Sequence, residues 1–202
     1  MDKHIETLVN FISTSDAKQR LVIGLDGLSR SGKTTFSKKL CKSLKEKNIP
    51  HQLIHIDDHI VDRKKRYQTG HEEWFEYYQL QWDVEWLTHH LFEKLKLSNE
   101  LNLPFYDLES DTAMLKTIQL PLHGVIVIEG VFLQRKEWRR FFDRVVYLDC
   151  PRSERFVRES EVAQENISKF TNRYWKAEDY YLSTVSPKEQ ADLVIKKGNR
   201  EG

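Results

Sequence analysis

The stretch Gly27-Leu28-Ser29-Arg30-Ser31-Gly32-Lys33-Thr34 constrains this chain more than any other. It fits the pattern G-x-x-x-x-G-K-[ST], whose two glycines let the backbone turn and come close to a polyphosphate. Successive amide N–H groups then form a concave anion nest, and the dipole of the following helix adds to it. The apolar run Leu21-Val22-Ile23-Gly24-Leu25 before the loop has the composition of a buried strand. After the loop, Phe36, Leu40 and Leu44 are spaced four apart and predict a helix with one buried face. Strand, glycine-rich loop and helix in that order are the context such a loop needs. The expected phosphate cradle is therefore Gly27, Leu28, Ser29, Arg30, Ser31, Gly32, Lys33, Thr34 and Thr35. Lys33 would reach the β- and γ-phosphates as a point charge, and the Thr34 hydroxyl would ligate Mg²⁺.

The rest of the chain supplies partners for that strand. Gln52–Ile56, Val125–Ile128, Arg144–Asp149 and Asp192–Ile195 bring the number of β-type runs to five, separated by helical patterns. That alternation predicts an α/β fold with a mainly parallel sheet. Val125–Ile128 is wholly apolar, which suits a central strand covered on both faces. Ile5, Leu8, Val9 and Ile12 predict an amphipathic first helix, closed by Ser13-Thr14-Ser15-Asp16. Trp74, Tyr78, Trp82 and Trp86, then Leu87, Leu91 and Leu95, predict two helices broken near Gln81-Trp82-Asp83. Leu101–Phe105 alternates with period two and pairs with Thr117–Leu120 as a small hairpin. One domain over 1–202 is expected, with 62–121 a cap inserted into a nucleotide-binding core. Pro151 opens a helix carrying Arg152, Arg155 and Arg158, within a lid over 151–170. Phe170–Thr184 predicts one more helix.

Open parallel sheets bind ligands beyond the carboxyl ends of their strands. Asp57, Glu129 and Asp149 stand at such ends. Glu129 follows the most apolar strand and is the candidate to hold Mg²⁺, usually through water. Asp57 is the candidate to take a proton from an attacking hydroxyl; its neighbour Asp58 reads as a cap. The guanidinium groups of Arg155 and Arg158 suit a transferring phosphoryl group, whose charge spreads over three oxygens. The basic run Arg63-Lys64-Lys65-Arg66 reads as a solvated loop.

Several classes are disfavoured. Lys+Arg 32 against Asp+Glu 31 leave a net charge of +1, so no bulk field points to nucleic acid. No stretch approaches 18 apolar residues and Met1–Arg20 holds no secretory signal, so no membrane partner is expected. The two cysteines, Cys41 and Cys150, lie far apart and fit no metal spacing; reduced thiols in a cytoplasmic protein are expected. The tetrapeptide [NT]-K-x-D of guanine-specific proteins is absent, which favours ATP. Assembly into a homo-oligomer is left open.

Several ordered motifs together resemble the uridine kinase and phosphoribulokinase group of phosphate-loop kinases, which includes nicotinamide riboside kinases. They are the loop at 27–35, Ile56-Asp57-Asp58-His59, the pair Trp82-Asp83, Leu103-Pro104-Phe105-Tyr106-Asp107, Val127-Ile128-Glu129-Gly130, Arg155 with Arg158, and Ala191-Asp192-Leu193-Val194-Ile195. The resemblance covers roughly 20–198. It implies a P-loop NTPase three-layer α/β/α sandwich with a five-stranded, mainly parallel sheet and a small helical and hairpin cap. It also implies an ATP- and Mg²⁺-dependent kinase acting on a primary hydroxyl of a nucleoside-like molecule, uridine or cytidine first. Nicotinamide riboside, pantothenate or another small metabolite is the alternative acceptor. A nucleotide-dependent regulatory ATPase is the rival class. Under the resemblance Asp57 is the general base, and Lys33, Arg155 and Arg158 steady the γ-phosphoryl group. Thr34 and Glu129 serve Mg²⁺, while Asp57, Asp83, Tyr106 and Asp107 form the acceptor side. The chain departs from uridine kinases where Asp111 replaces a histidine that reads the pyrimidine, and where His59 and Ile60 replace aromatics.

Overall fold

A computed structural model describes residues 3–15 and 20–196. The first helix, α1 (Lys3–Thr14), buries Ile5, Leu8, Val9 and Ile12, the face its spacing predicts. Asp16, the last residue of its expected polar stop, lies outside the described residues. β1 (Arg20–Asp26) leads through the glycine-rich loop into α2 (Lys33–Glu46). β2 (His51–His55) follows, and a 3₁₀ turn at Ile56–His59 carries Asp57.

The chain then leaves the sheet. It forms α3 (Arg63–Arg66), α4 (Glu73–Gln79) and α5 (Val84–His90), with the break at 80–83. β3 (Glu100–Asp107) and β4 (Thr112–Gln119) make an antiparallel hairpin in which Leu101 faces Ile118. β5 (Gly124–Glu129) returns to the sheet and β6 (Arg144–Asp149) extends it. After β6 come α6 (Arg152–Val157), α7 (Glu161–Glu165) and α8 (Ile167–Lys169). A π-helical turn over Phe170–Trp175 then runs into α9 (Lys176–Val185). The two together are the one helix expected over Phe170–Thr184, with its first turns widened to π geometry. α10 (Pro187–Gln190) and β7 (Leu193–Lys196) complete the described chain.

The sheet has five strands in the order β2-β5-β1-β6-β7, and every pair is parallel. Its two faces bury different residues, because side chains alternate along a strand. Val125 and Val127 of β5 pack with α1 and α2, against Ile5, Val9, Phe36 and Leu40. Ile126 and Ile128 face the other layer, where Trp82, Leu87, Phe132, Trp138 and Tyr181 gather. Helix, sheet and helix form three layers. The insertion between β2 and β5 thus belongs to the core: its tryptophans are packing, as their spacing implied.

Arg20 ties the insertion to the sheet. Its guanidinium donates to the carbonyls of Pro121 (2.7 Å), Leu95 (2.5 Å) and Ser98 (2.6 Å) while being 7% exposed. Arg20→Met leaves those buried carbonyls without a donor, and we expect a loss of about 2–3 kcal/mol. A urea midpoint equal to that of the unaltered protein would contradict this anchor.

Candidate active site

The strand order places two carboxyl-terminal ends beside the loop. In the parallel register Leu25 of β1 is level with Glu129 of β5, and Glu129 is level with His55 of β2. The bend after Glu129 is tight: a Cβ on Gly130 would lie 2.1 Å from Ile56 Cγ2. Only glycine lets the end of β5 press against the turn that carries Asp57. Trp82 fixes that turn from the insertion side, its indole Nε1 donating to Ile56 O at 2.9 Å.

These elements surround a cleft of about 1020 Å³. Ser29 through Thr35 form one wall, with Asp57 and Glu129 on the sheet side and Phe156, Phe170, Tyr174 and Trp175 on the lid side. Gly32 has φ 96° at the N-terminus of α2, and nothing lies within 4 Å of where its Cβ would be, so the loop is unobstructed on that side.

Lys33 is 7% exposed, and its Nζ donates to Leu28 O at 2.9 Å. Burial pushes this ammonium below its usual pKa, while the charges of Glu129, Asp57, Asp26 and Glu178 pull it back up. The Thr34 hydroxyl donates to Glu129 Oε1 at 3.0 Å. The same oxygen lies 2.6 Å from His55 Nδ1. Burial alone would raise Glu129, but His55, Lys33 and Thr34 outweigh it and hold the carboxyl below its usual value. His55 is raised in return, chiefly by that bond. Glu129 is therefore ionised and shares a point with a hydroxyl oxygen, a donor pair suited to Mg²⁺. Among the described residues no cluster of three His, Cys, Asp or Glu side chains could hold a metal by itself. Mg²⁺ in sites of this chemistry is held by one or two protein oxygens with phosphates and water, so the residues fit it.

Asp57 is solvent-accessible in the open cleft yet walled by protein on its other sides. That wall pushes its pKa above the usual carboxylate value, with Glu129 and Asp58 adding to the rise and Lys33 opposing it. Asp26, the last residue of β1, is fully buried behind the loop, where it accepts from Tyr181 Oη at 2.6 Å and Gln134 Nε2 at 2.9 Å.

The arginines behave differently from one another. Arg155, 5% exposed, lines the cleft but makes a two-point pair with Glu178 (2.7 and 2.8 Å) and donates to Ser29 O at 2.9 Å. Its donors brace the loop. Arg158 donates to Arg30 O at 2.9 Å and stays largely open to solvent beside Glu154. Asp149 turns away from the loop, to Lys188 at 2.8 Å.

Three acceptor-side candidates do not line the cleft. Asp83 caps α5, accepting from Trp86 N at 3.0 Å, and faces a separate cavity of about 530 Å³. Asp107 closes the hairpin turn, accepting from Ser110 N and Oγ. The Tyr106 hydroxyl donates to Asp111 at 2.8 Å and accepts from Arg66 at 3.1 Å. Each is engaged in a local turn or network, and none lines the cleft onto which Asp57 opens. Beside Asp57 the cleft is lined instead by Ile60, Tyr77, Gln81 and Val131.

The Phosphoribulokinase / Uridine kinase family matches residues 22–201. The structure of a possible uridine kinase from Bacillus stearothermophilus is 56% identical with a TM-score of 0.85, covering 96% of this chain and 97% of that one. The uridine kinase of Borrelia garinii is 29% identical over 192 residues, 88% of this chain and 86% of its own length. That of Clostridium novyi is 26% identical over 195 residues, 89% of this chain and 88% of its own. The chain, with its nucleotide-binding loop and parallel sheet, is a phosphotransferase and belongs to the phosphoribulokinase and uridine kinase family.

Proposed function

We propose that this protein transfers the γ-phosphate of ATP to a primary hydroxyl of a nucleoside-like small molecule, uridine or cytidine first. Nicotinamide riboside, pantothenate and other small metabolites are the alternative acceptors. The observation that carries the proposal is the common cleft: Asp57, with a raised pKa, opens onto the same space as Lys33, Thr34 and Glu129. The names of the relatives favour a nucleoside acceptor.

The residues divide the work as follows. The backbone of Ser29–Thr35 grips the polyphosphate, and Lys33 exchanges Leu28 O for phosphate oxygens. Thr34 and Glu129 would hold Mg²⁺, which would supply positive charge against the polyphosphate. Asp57 accepts the proton of the attacking alcohol. Arg155 keeps the loop wall in place, and Arg158, exposed at the mouth of the cleft beside Arg30 O and Glu154, turns over the phosphoryl group. The aromatic lid wall excludes water, so that the alcohol rather than water attacks.

The deciding experiment measures ADP release with ATP and Mg²⁺ over uridine, cytidine, nicotinamide riboside, pantothenate and simple sugars. A kinase forms ADP in proportion to one added acceptor. ADP and free phosphate formed equally well without any acceptor would establish a regulatory ATPase instead. Lys33→Met, which keeps the side-chain length but not the charge, should slow transfer by roughly a hundredfold. An unchanged rate would remove the loop from the mechanism.

A further inference from the structure

Gln81 stands in the break between α4 and α5 and lines the phosphate cleft. Two hydrogen bonds hold the break against the turn carrying Asp57. Val61 N donates to Gln81 O at 3.1 Å, and Trp82 Nε1 donates to Ile56 O at 2.9 Å. The backbone of Gln81 is therefore fixed relative to Asp57, on either side of it in sequence.

Its side chain is not spent on the fold. The carboxamide oxygen is buried without a donor among the described residues. Buried polar groups in native proteins are nearly always paired, and exceptions call for a reason. A half-turn about the Cγ–Cδ bond exchanges the two ends, so the group can offer a donor or an acceptor to the cleft. The same cleft is lined by the uncharged Ile60, Val131 and, one helical turn earlier on α4, Tyr77. The Tyr77 ring is itself steadied by edge contacts to Phe132 at 5.5 Å and Tyr174 at 5.0 Å.

We propose that Gln81 reads the acceptor: its carboxamide hydrogen-bonds a hydroxyl or amide of an uncharged molecule whose reactive alcohol lies on Asp57, between Ile60, Val131 and Tyr77. The assignment rests on the kinase reading above. It replaces Asp83, Tyr106 and Asp107 as the acceptor-side contact in the cleft. An amide carries no net charge, so it discriminates by hydrogen-bond pattern and favours neutral nucleosides and sugars over anions such as pantothenate.

The test uses the full-length protein with Gln81→Met and Gln81→Ala, run beside the unaltered protein on the same acceptor panel. For the best acceptor, both variants should raise KM about tenfold, the effect of one lost hydrogen bond to substrate, with a smaller change in kcat. The KM for ATP should stay within about twofold. Melting temperature should hold or rise, since an unpaired buried carbonyl oxygen is being removed. An unchanged acceptor KM overturns the assignment and leaves the kinase reading standing. A fall in Tm of more than about 5 °C in both variants also overturns it, because the amide would then be holding the fold. A panel in which only a charged compound is phosphorylated overturns the neutral-acceptor specificity. A panel in which nothing stimulates ADP formation removes the kinase reading and this one together.

Discussion

Asp57→Asn should bind ATP as the unaltered protein does and transfer its phosphate about a thousandfold more slowly, within the usual range for loss of a positioned base. Asn has nearly the same shape and fills the same turn after β2, so the loop, Lys33 and the Thr34–Glu129 pair are untouched. What disappears is the acceptor for the alcohol proton. The pH dependence follows from the raised pKa of Asp57. The base works ionised, so kcat/KM for the acceptor should climb with pH through a midpoint above the ordinary carboxylate value of about 3.9. Asp57→Asn should abolish that limb. Stability moves the opposite way. A carboxyl whose folded pKa exceeds its unfolded one binds more protons when folded, so its contribution is lost as pH rises between the two values. At neutral pH Asp57→Asn should therefore melt no lower than the unaltered protein, which separates a lost base from a lost fold. A variant that turned over normally, or that kept the acid limb, would place the base elsewhere.

The difference between Asp57 and Asp83 marks what the sequence could and could not convey. Both are acids at the start of a turn, and both fit an ordered motif. The sheet decides between them: β2 lies next to β5, so the residues after His55 meet the residues after Glu129. Asp83 instead follows Trp82, whose burial against Phe132 and Trp138 sets the direction of α5 and leaves the carboxylate to cap it. Strong local signals survived folding. The loop, the five apolar runs and the tryptophan spacing depend on neighbours a few residues away and appear where their patterns put them, whereas the hairpin's second strand begins at Thr112, five residues before the expected Thr117. Long-range placement was not written locally. His55 shares Glu129 only because two strands far apart in sequence are adjacent, and a correct guess of strand order would have found it. The π-helical turn had no signal of its own: within it Arg173 is buried and donates to Glu76 of α4 at 3.1 Å. Gln81 was invisible because a glutamine in a helix break matches no chemical motif; only its unpaired carboxamide oxygen singles it out.

Arg155→Met should lower stability by about 3–5 kcal/mol, because Glu178 is 2% exposed and would be left as an unpaired buried carboxylate. A melting temperature roughly 10 °C lower is the expected scale for a chain of this size. The same substitution removes the donor on Ser29 O, so the outer wall of the phosphate loop loses its brace. These two consequences can be separated. In the double variant Arg155→Met/Glu178→Leu the buried charge is gone, and replacing both partners of such a pair by apolar groups is often neutral. Its melting temperature should return to within a few degrees of the original. Its KM for ATP should remain raised, about tenfold, because the loop is still unbraced. Recovery of both stability and ATP affinity would mean that Arg155 serves the fold alone and that the loop keeps its shape without it. Failure of the double variant to regain stability would mean that the Arg155 bonds to Ser29 and Cys150, rather than its pairing with Glu178, hold α6 in place.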